Sequence, residues 1–308
     1  MKLISENLHI ISKTTKEAIL NRDKTYIQNL IKKQSATSPD WIDLNIGPAK
    51  GAFAGTMEWL VNIAKDLTDI PLSLDTTNIN EVEVGLCLSN KPQNCIINST
   101  SADAERLEKV TDLAAKYDCN FIALTMNSEF GIPKESDKRI ELAFEISSVA
   151  ETKGIQNNKI YFDPLILPVS VDQTQAQEAL NTIRMLKESF EPQVMTTIGL
   201  SNVSNGCPTS LRPLINRVFM VMAMGCGLDS AIVDSFDSEL LRINKLITGN
   251  SPKESYDKLL IDIYHMTQNF EDIDSLSYDK TDKIQSDIYK TVEILLNKKV
   301  YSNSYLEI

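Results

Sequence analysis

Acids and amides stand at the ends of extended runs throughout this sequence: Glu6 and Asn7, Asp43 and Asn45, Asp75, Asn98 and Ser99, Asn127, Asp163, Asn202 and Asn205, Asp234 and Asp237. A single Asp or Asn in such a place is ordinarily a helix cap or a turn former. Recurrence at one strand end after another points instead to a shared site. None of these positions holds lysine, histidine or cysteine, so Schiff-base, Cys-His and Ser-His-Asp chemistry each lack a nucleophile or a base. The set can hydrogen-bond a ligand thoroughly, because a carboxylate accepts paired N–H groups bidentately. A 2-amino-4-oxopyrimidine edge, such as that of a pterin, presents such pairs.

The densest stretch is Thr196 to Pro208. A β-branched run from Val194 to Ile198 breaks at Gly199 into a polar loop carrying Ser201, Asn202, Ser204 and Asn205, and Pro208 opens an amphipathic run. Strand, loop and helix in that order place the polar cluster at the carboxyl end of a strand, where α/β proteins bind ligands.

The elements that must position these groups recur along the chain. Strand candidates are Leu3 to Ser5, Trp41 to Ile46, Pro71 to Leu74, Cys95 to Ile97, Phe121 to Thr125, Ile160 to Phe162, Val194 to Ile198 and Ser230 to Val233. Helical periodicity follows them at Lys13 to Lys33, Thr56 to Leu67, Asn80 to Leu88, Ala102 to Tyr117, Ser136 to Lys153, Gln173 to Ser189 and Leu211 to Met224. Eight βα units in series predict a (β/α)8 TIM barrel, whose strand ends converge on one mouth. No G-x-G-x-x-G or P-loop supports the alternative, a doubly wound sheet. After the eighth strand we expect a helix at Ser238 to Ile247. A polar insert from Thr248 to Asp282 follows, with a helix at Ser255 to Gln268, added to the barrel surface. A last helix runs from Gln285 to Leu296, and residues 1–308 read as one domain.

A net charge of −11 argues against nucleic acid as a partner. The first residues lack a secretory core and the longest apolar run, Val218 to Met224, is too short for a bilayer, so a cytoplasmic protein is expected. Cys87, Cys95, Cys119, Cys207 and Cys226 are scattered without a C-x-x-C pair and read as free thiols in a reducing compartment. His9 and His265 are too few and too far apart for a histidine metal cluster, so no metal site is expected.

Longer motifs then become recognisable: Asp43-Leu44-Asn45-Ile46-Gly47-Pro48, Leu74-Asp75-Thr76-Thr77-Asn78, Ile97-Asn98-Ser99-Thr100, Phe162-Asp163-Pro164-Leu165-Ile166-Leu167-Pro168, Gly199-Leu200-Ser201-Asn202-Val203-Ser204 and Pro213-Leu214-Ile215-Asn216-Arg217. Together the series resembles the methyltetrahydrofolate:corrinoid methyltransferases, pterin-binding barrels of acetogens and related anaerobes. These are similar in turn to the pterin domain of methionine synthase and, more distantly, to dihydropteroate synthase. The resemblance runs from Glu6 to about Asp237 and resumes at Ile294 to Lys298.

It implies a homodimeric enzyme that moves a methyl group, in either direction, between N5 of tetrahydrofolate and the cobalt of a cobalamin. One direction would serve a demethylation pathway. The corrinoid would arrive on a separate protein, since the chain has no D-x-H-x-x-G motif. Asp75, Asn98 and Asp163 match the pterin-ring binders, Gly199 and Ser201 the pocket lining, and Asn202 the catalytic amide that meets N5. Asn205 replaces a glutamine that contacts the folate. Arg212 stands for the family's arginine, with Thr209-Ser210-Leu211 lengthening the loop ahead of it, and the 248–282 insert is not part of the pattern. Two further readings stay open: a dihydropteroate synthase-like enzyme, which would need basic residues where Asp234-Ser235-Phe236-Asp237 ends the eighth strand, and a non-catalytic pterin-binding protein.

Overall fold

Strands covered by helices on one face and packed into a barrel on the other are buried on both sides, so their sequences are almost continuously apolar. In the computed structural model, which describes residues 1–249 and 251–307, eight parallel strands form one sheet. They are β1 (Lys2–Ser5), β2 (Trp41–Gly47), β3 (Leu72–Thr76), β4 (Ile96–Thr100), β5 (Asn120–Leu124), β6 (Ile160–Asp163), β7 (Met195–Thr196) and β8 (Ser230–Val233). The order is β7-β6-β5-β4-β3-β2-β1-β8, and a parallel bridge between Gly199 and Ile232 closes the seam. This is the (β/α)8 barrel that the spacing predicts.

β7 is shorter than the expected Val194 to Ile198, and the reason is local. The Thr196 N–H and hydroxyl, which face β8, go to the Asp229 carboxylate at 2.8 and 3.1 Å instead of to a strand carbonyl. Pairing resumes only where Ile232 N–H donates to the Ile198 carbonyl at 2.8 Å.

The first helical stretch is also divided, into α1 (Lys13–Leu20) and α2 (Lys24–Ala36). Arg22 takes a left-handed φ of 51°, and the Asp23 side chain accepts the Tyr26 N–H at 3.0 Å, capping the second helix. Around the barrel follow α3 (Thr56–Ala64), α4 (Ile79–Leu88), α5 (Ala104–Tyr117), α6 (Ser136–Thr152), α7 (Val169–Asp172), α8 (Thr174–Ser189), α9 (Arg212–Gly225) and α10 (Ser238–Ile247). Among the described residues, no helix is long and apolar enough to cross a membrane.

The stretch expected as a surface addition contributes a helix with one buried face. In α11 (Asp257–Gln268), Leu259, Leu260, Ile263 and Met266 join the core cluster of α9. Asp257, fully buried, takes a bidentate contact from Arg242 of α10 at 2.7 and 2.8 Å, and α12 (Lys283–Leu295) follows. Asn250, within the expected insert, lies outside the described residues.

The barrel interior is closed below the mouth by Ile4, Trp41, Ile96, Ile122 and Tyr161, with Leu124, Met195 and Ile232 packed against them. This plug is the floor on which the mouth residues stand.

The α9–α11 contact is tight enough to test. A Cβ on Gly225 would fall inside the Thr267 hydroxyl and 2.5 Å from the Tyr264 carbonyl, and the backbone cannot yield as a flexible side chain would. Gly225→Ala should lower stability by about 1–3 kcal/mol, seen as a lower midpoint in a thermal melt.

Candidate active site

Because strand side chains alternate, the residues that share the plug's inward face continue upward into the mouth. On β2 and β3 these are Asp43, Asn45, Ser73 and Asp75, and β4 adds Asn98. Register sets Asn45 beside Asp75 and Asp75 beside Asn98, with Asp43 and Ser73 one layer lower. The row is stitched laterally. Asn45 donates its amide to Asp75, and Ser73 and Asn98 donate to Asp43 at 2.5 and 3.3 Å.

Asp163 ends β6 across the mouth and is buried. Its carboxylate accepts the N–H of Leu165 at 2.7 Å, which holds Leu165 in a left-handed turn with φ 62°. A second backbone N–H comes from Gly199, so the carboxylate also joins β6 to the loop after β7. The Asn202 amide packs against Gly199: a Cβ there would lie 3.0 Å from the amide nitrogen, so a side chain at 199 would push that amide aside by a few tenths of an ångström. Two residues on, the Ser201 hydroxyl donates to Glu6 of the β1 end at 2.5 Å.

The mouth therefore brings together Asp75, Asn98, Asp163, Gly199, Ser201 and Asn202. Asn205, exposed like Asn202, and Arg212 follow on the same side of the mouth. The Asn205 carbonyl accepts the Ser170 hydroxyl at 2.8 Å with its side chain on the exposed loop, and Arg212 donates to Ser204 at 3.2 Å. The Arg212 charge still reaches Glu6. Across the three-residue extension Thr209-Ser210-Leu211, Arg212 still reaches back to Ser204 of the polar loop.

Desolvation dominates the electrostatics. Burial pushes Asp163 up to about 6 against the opposing N–H bonds and the charge of Arg139. Asp75 is likewise raised to about 6 by burial, opposed by hydrogen bonds from Asn45 and Asp43 and by the charge of Arg106. Asp43 sits well above the ordinary carboxylate range, first through burial and then through repulsion from Asp75. Glu6 is raised to about 7 by burial, with Asp234 and Asp43 adding to the shift and the Ser201 bond and Arg212 opposing it. The mouth can accept N–H donors and can hold protons at neutral pH. Among the described residues, no group of three or more His, Cys, Asp or Glu is placed to hold a metal ion.

Sequence reasoning put Glu6, Asp43 and Asn45 at strand ends without assigning them a role. It did not single out Ser73, Arg106 or Arg139. Ser73 lies inside an apolar strand and the arginines sit on amphipathic helices, where their residue types carry no signal.

A parallel barrel whose mouth presents a row of acids and amides defines an enzyme of the pterin-binding class. The chain belongs to that family: the model described as pterin binding enzyme matches residues 34–234. It is 26% identical over 243 residues to the methylcorrinoid:tetrahydrofolate methyltransferase of Eubacterium limosum, covering 78% of this chain and 88% of that one. It is 29% identical over 245 residues to the methionine synthase of Mycobacterium leprae, covering 76% of this chain and only 20% of that longer protein. In fold it is similar to Xanthomonas albilineans dihydropteroate synthase with 4-aminobenzoic acid, with a TM-score of 0.57 at 15% identity over 81% of this chain and 94% of that one.

The raised carboxylates leave a signature in stability. The native state binds the Asp163 proton more tightly than the unfolded chain, whose carboxylates titrate near 4. The stabilisation from protonated Asp163 is full below that value and is lost as pH rises through about 6. Asp163→Asn should melt level with the native protein near pH 4 and above it at pH 7.5, by on the order of 2 kcal/mol. Thermal melts across that range check the sign.

Proposed function

We propose that this protein transfers a methyl group between N5 of tetrahydrofolate and the cobalt of a corrinoid carried by a separate protein. The observation that carries the reading is a mouth with Asp75 beside Asn98 on one side and, on the other, Asp163 bonded to Gly199, against which the Asn202 amide packs. The named methyltransferase relative, matched along most of its length, supports it.

In this reading Asp75, Asn98 and Asp163 bind the pterin edge through its N–H groups and fix the ring above the plug. Fixing it turns N5 toward Asn202. The corrinoid supplies the cobalt nucleophile in one direction and the methyl group in the other. When the methyl leaves N5, the C–N electron pair stays on nitrogen, which is a poor leaving group unless a proton or strong hydrogen bond meets it. An asparagine amide can donate to unprotonated N5 or accept from N5–H, so it can follow the change of charge. We assign that proton to Glu6, whose carboxylate accepts the hydroxyl of Ser201, the sequence neighbour of Asn202.

The rim suits a docked carrier. Ile11, Phe130, Val171 and Phe236 stand exposed on segments that follow β1, β5, β6 and β8. Large apolar side chains circling a polar mouth fit a protein surface that covers it. A dihydropteroate synthase reading is weakened at the end of β8, where Asp234 accepts the Asn7 amide at 2.6 Å and Arg217 is paired with Asp237.

Calorimetric titration with tetrahydrofolate and methyltetrahydrofolate, followed by the visible spectrum after adding free cob(I)alamin, tests the reading. Saturable binding with conversion to methylcobalamin is expected, and absence of binding would sink it. Asn202→Ala should slow transfer by about 100-fold or more, the size of one transition-state hydrogen bond, while leaving pterin affinity within a few-fold. Glu6→Gln should flatten the pH profile: native transfer from methyltetrahydrofolate falls as pH rises through about 7, where Glu6 loses its proton, and the variant stays low and level.

A further inference from the structure

The β3–β4 ladder pairs Ser73 with Ile96, Leu74 with Ile97 and Asp75 with Asn98, and it ends there. The two strands therefore part at the residues that carry the binding groups. The β4–β5 pairing shifts register between Ile97 and Thr100, so β5 does not extend the ladder evenly past Asn98.

One side chain spans that gap. Arg106, in the first turn of α5, donates Nε and Nη2 to the Ser99 carbonyl at 2.8 and 2.5 Å, Nη2 to the Thr76 carbonyl at 3.0 Å, and Nη1 to the Thr77 carbonyl at 2.8 Å. Thr76 and Ser99 are the residues immediately after Asp75 and Asn98. A planar fork with fixed donor directions sets the separation of the carbonyls it touches, whereas an ammonium on a flexible stem does not. The guanidinium is partly buried, and its charge faces Asp75 from outside the barrel wall.

We infer that Arg106 is a positioning residue for the pterin site, holding Asp75 and Asn98 at the spacing that a ligand's N–H groups need. The inference rests on the pterin reading of the mouth. Asp75 is faced by Asp43 and Asn45 from β2, Asn98 from β4 and Arg106 from α5, and Arg106 is the one cation in that set. Its charge and its geometry can be separated by substitution.

The test compares Arg106→Lys, which keeps charge and loses the fork, with Arg106→Gln, which loses both. Two quantities are read in folded protein: tetrahydrofolate affinity by calorimetry, and the Asp75 titration midpoint by carboxyl carbon NMR of the ligand-free enzyme, assigned with Asp75→Asn. Arg106→Lys is expected to weaken binding at least tenfold at an unchanged Asp75 midpoint, and Arg106→Gln to weaken it further and move the midpoint upward. Native affinity in either variant would overturn the assignment. So would an unmoved midpoint in Arg106→Gln, since a strut that only supported the fold would leave it alone. If Arg106→Gln does not fold, affinity in Arg106→Lys decides. If the native protein fails to bind tetrahydrofolate, the pterin reading falls, and the Asp75 midpoint alone then judges Arg106.

Discussion

Carboxylates taken out of water must be surrounded by donors or they protonate, and this barrel gathers several of them at and just below its mouth. Asp43 and Asp163 are buried and Asp75 is partly so. Each is only partly satisfied from within the protein. Asp163 takes two backbone N–H groups, Asp43 a hydroxyl and an amide, and Asp75 the amide of Asn45 and a bond from Asp43. An ionised carboxylate offers about four lone-pair sites, so acceptor capacity remains on the mouth side. A ligand bringing paired N–H groups completes the set, and that unfinished shell is the physical basis of the binding site.

Burial raises the acids of the mouth, Asp75 and Asp163 to about 6 and Glu6 to about 7. Glu6, Asp43, Asp75 and Asp163, all raised above their ordinary range by burial, keep more protons at neutral pH than exposed carboxylates would. Such a set can exchange a proton with a bound ring without a histidine or lysine. Glu6 lies at the upper edge, where the Ser201 bond connects it to the loop that carries Asn202.

The cations that act on Asp75 and Asp163 stand behind the wall. Arg106 on α5 and Arg139 on α6 act on Asp75 and Asp163 from the helix layer, while their donors hold loop carbonyls. Arg139 is fully buried, bonded to the Pro133 carbonyl at 2.9 Å and the Gln175 amide oxygen at 2.5 Å. A cation inside the mouth would compete with the ligand for the carboxylates. Placed outside, it lowers the cost of their charge and leaves their lone pairs free.

The sequence by itself determined the barrel, because eight runs of extended residues alternating with helical periodicity admit few other solutions, and it determined that strand ends such as Asp75, Asn98, Asp163 and Asn202 would face one mouth. These are local patterns of period and position. The tertiary structure alone decided the register that sets Asn45, Asp75 and Asn98 side by side, the contact of Glu6 with Ser201 across most of the chain, and the reach of Arg106 over two strand ends. It also decided where local patterns yield: Asp229 cuts β7 short by capturing the Thr196 N–H, Asp23 divides the first helix, and α11 buries a face against α9. Each depends on a partner distant in sequence or on competition for one donor, and neither leaves a periodic trace in the residues themselves.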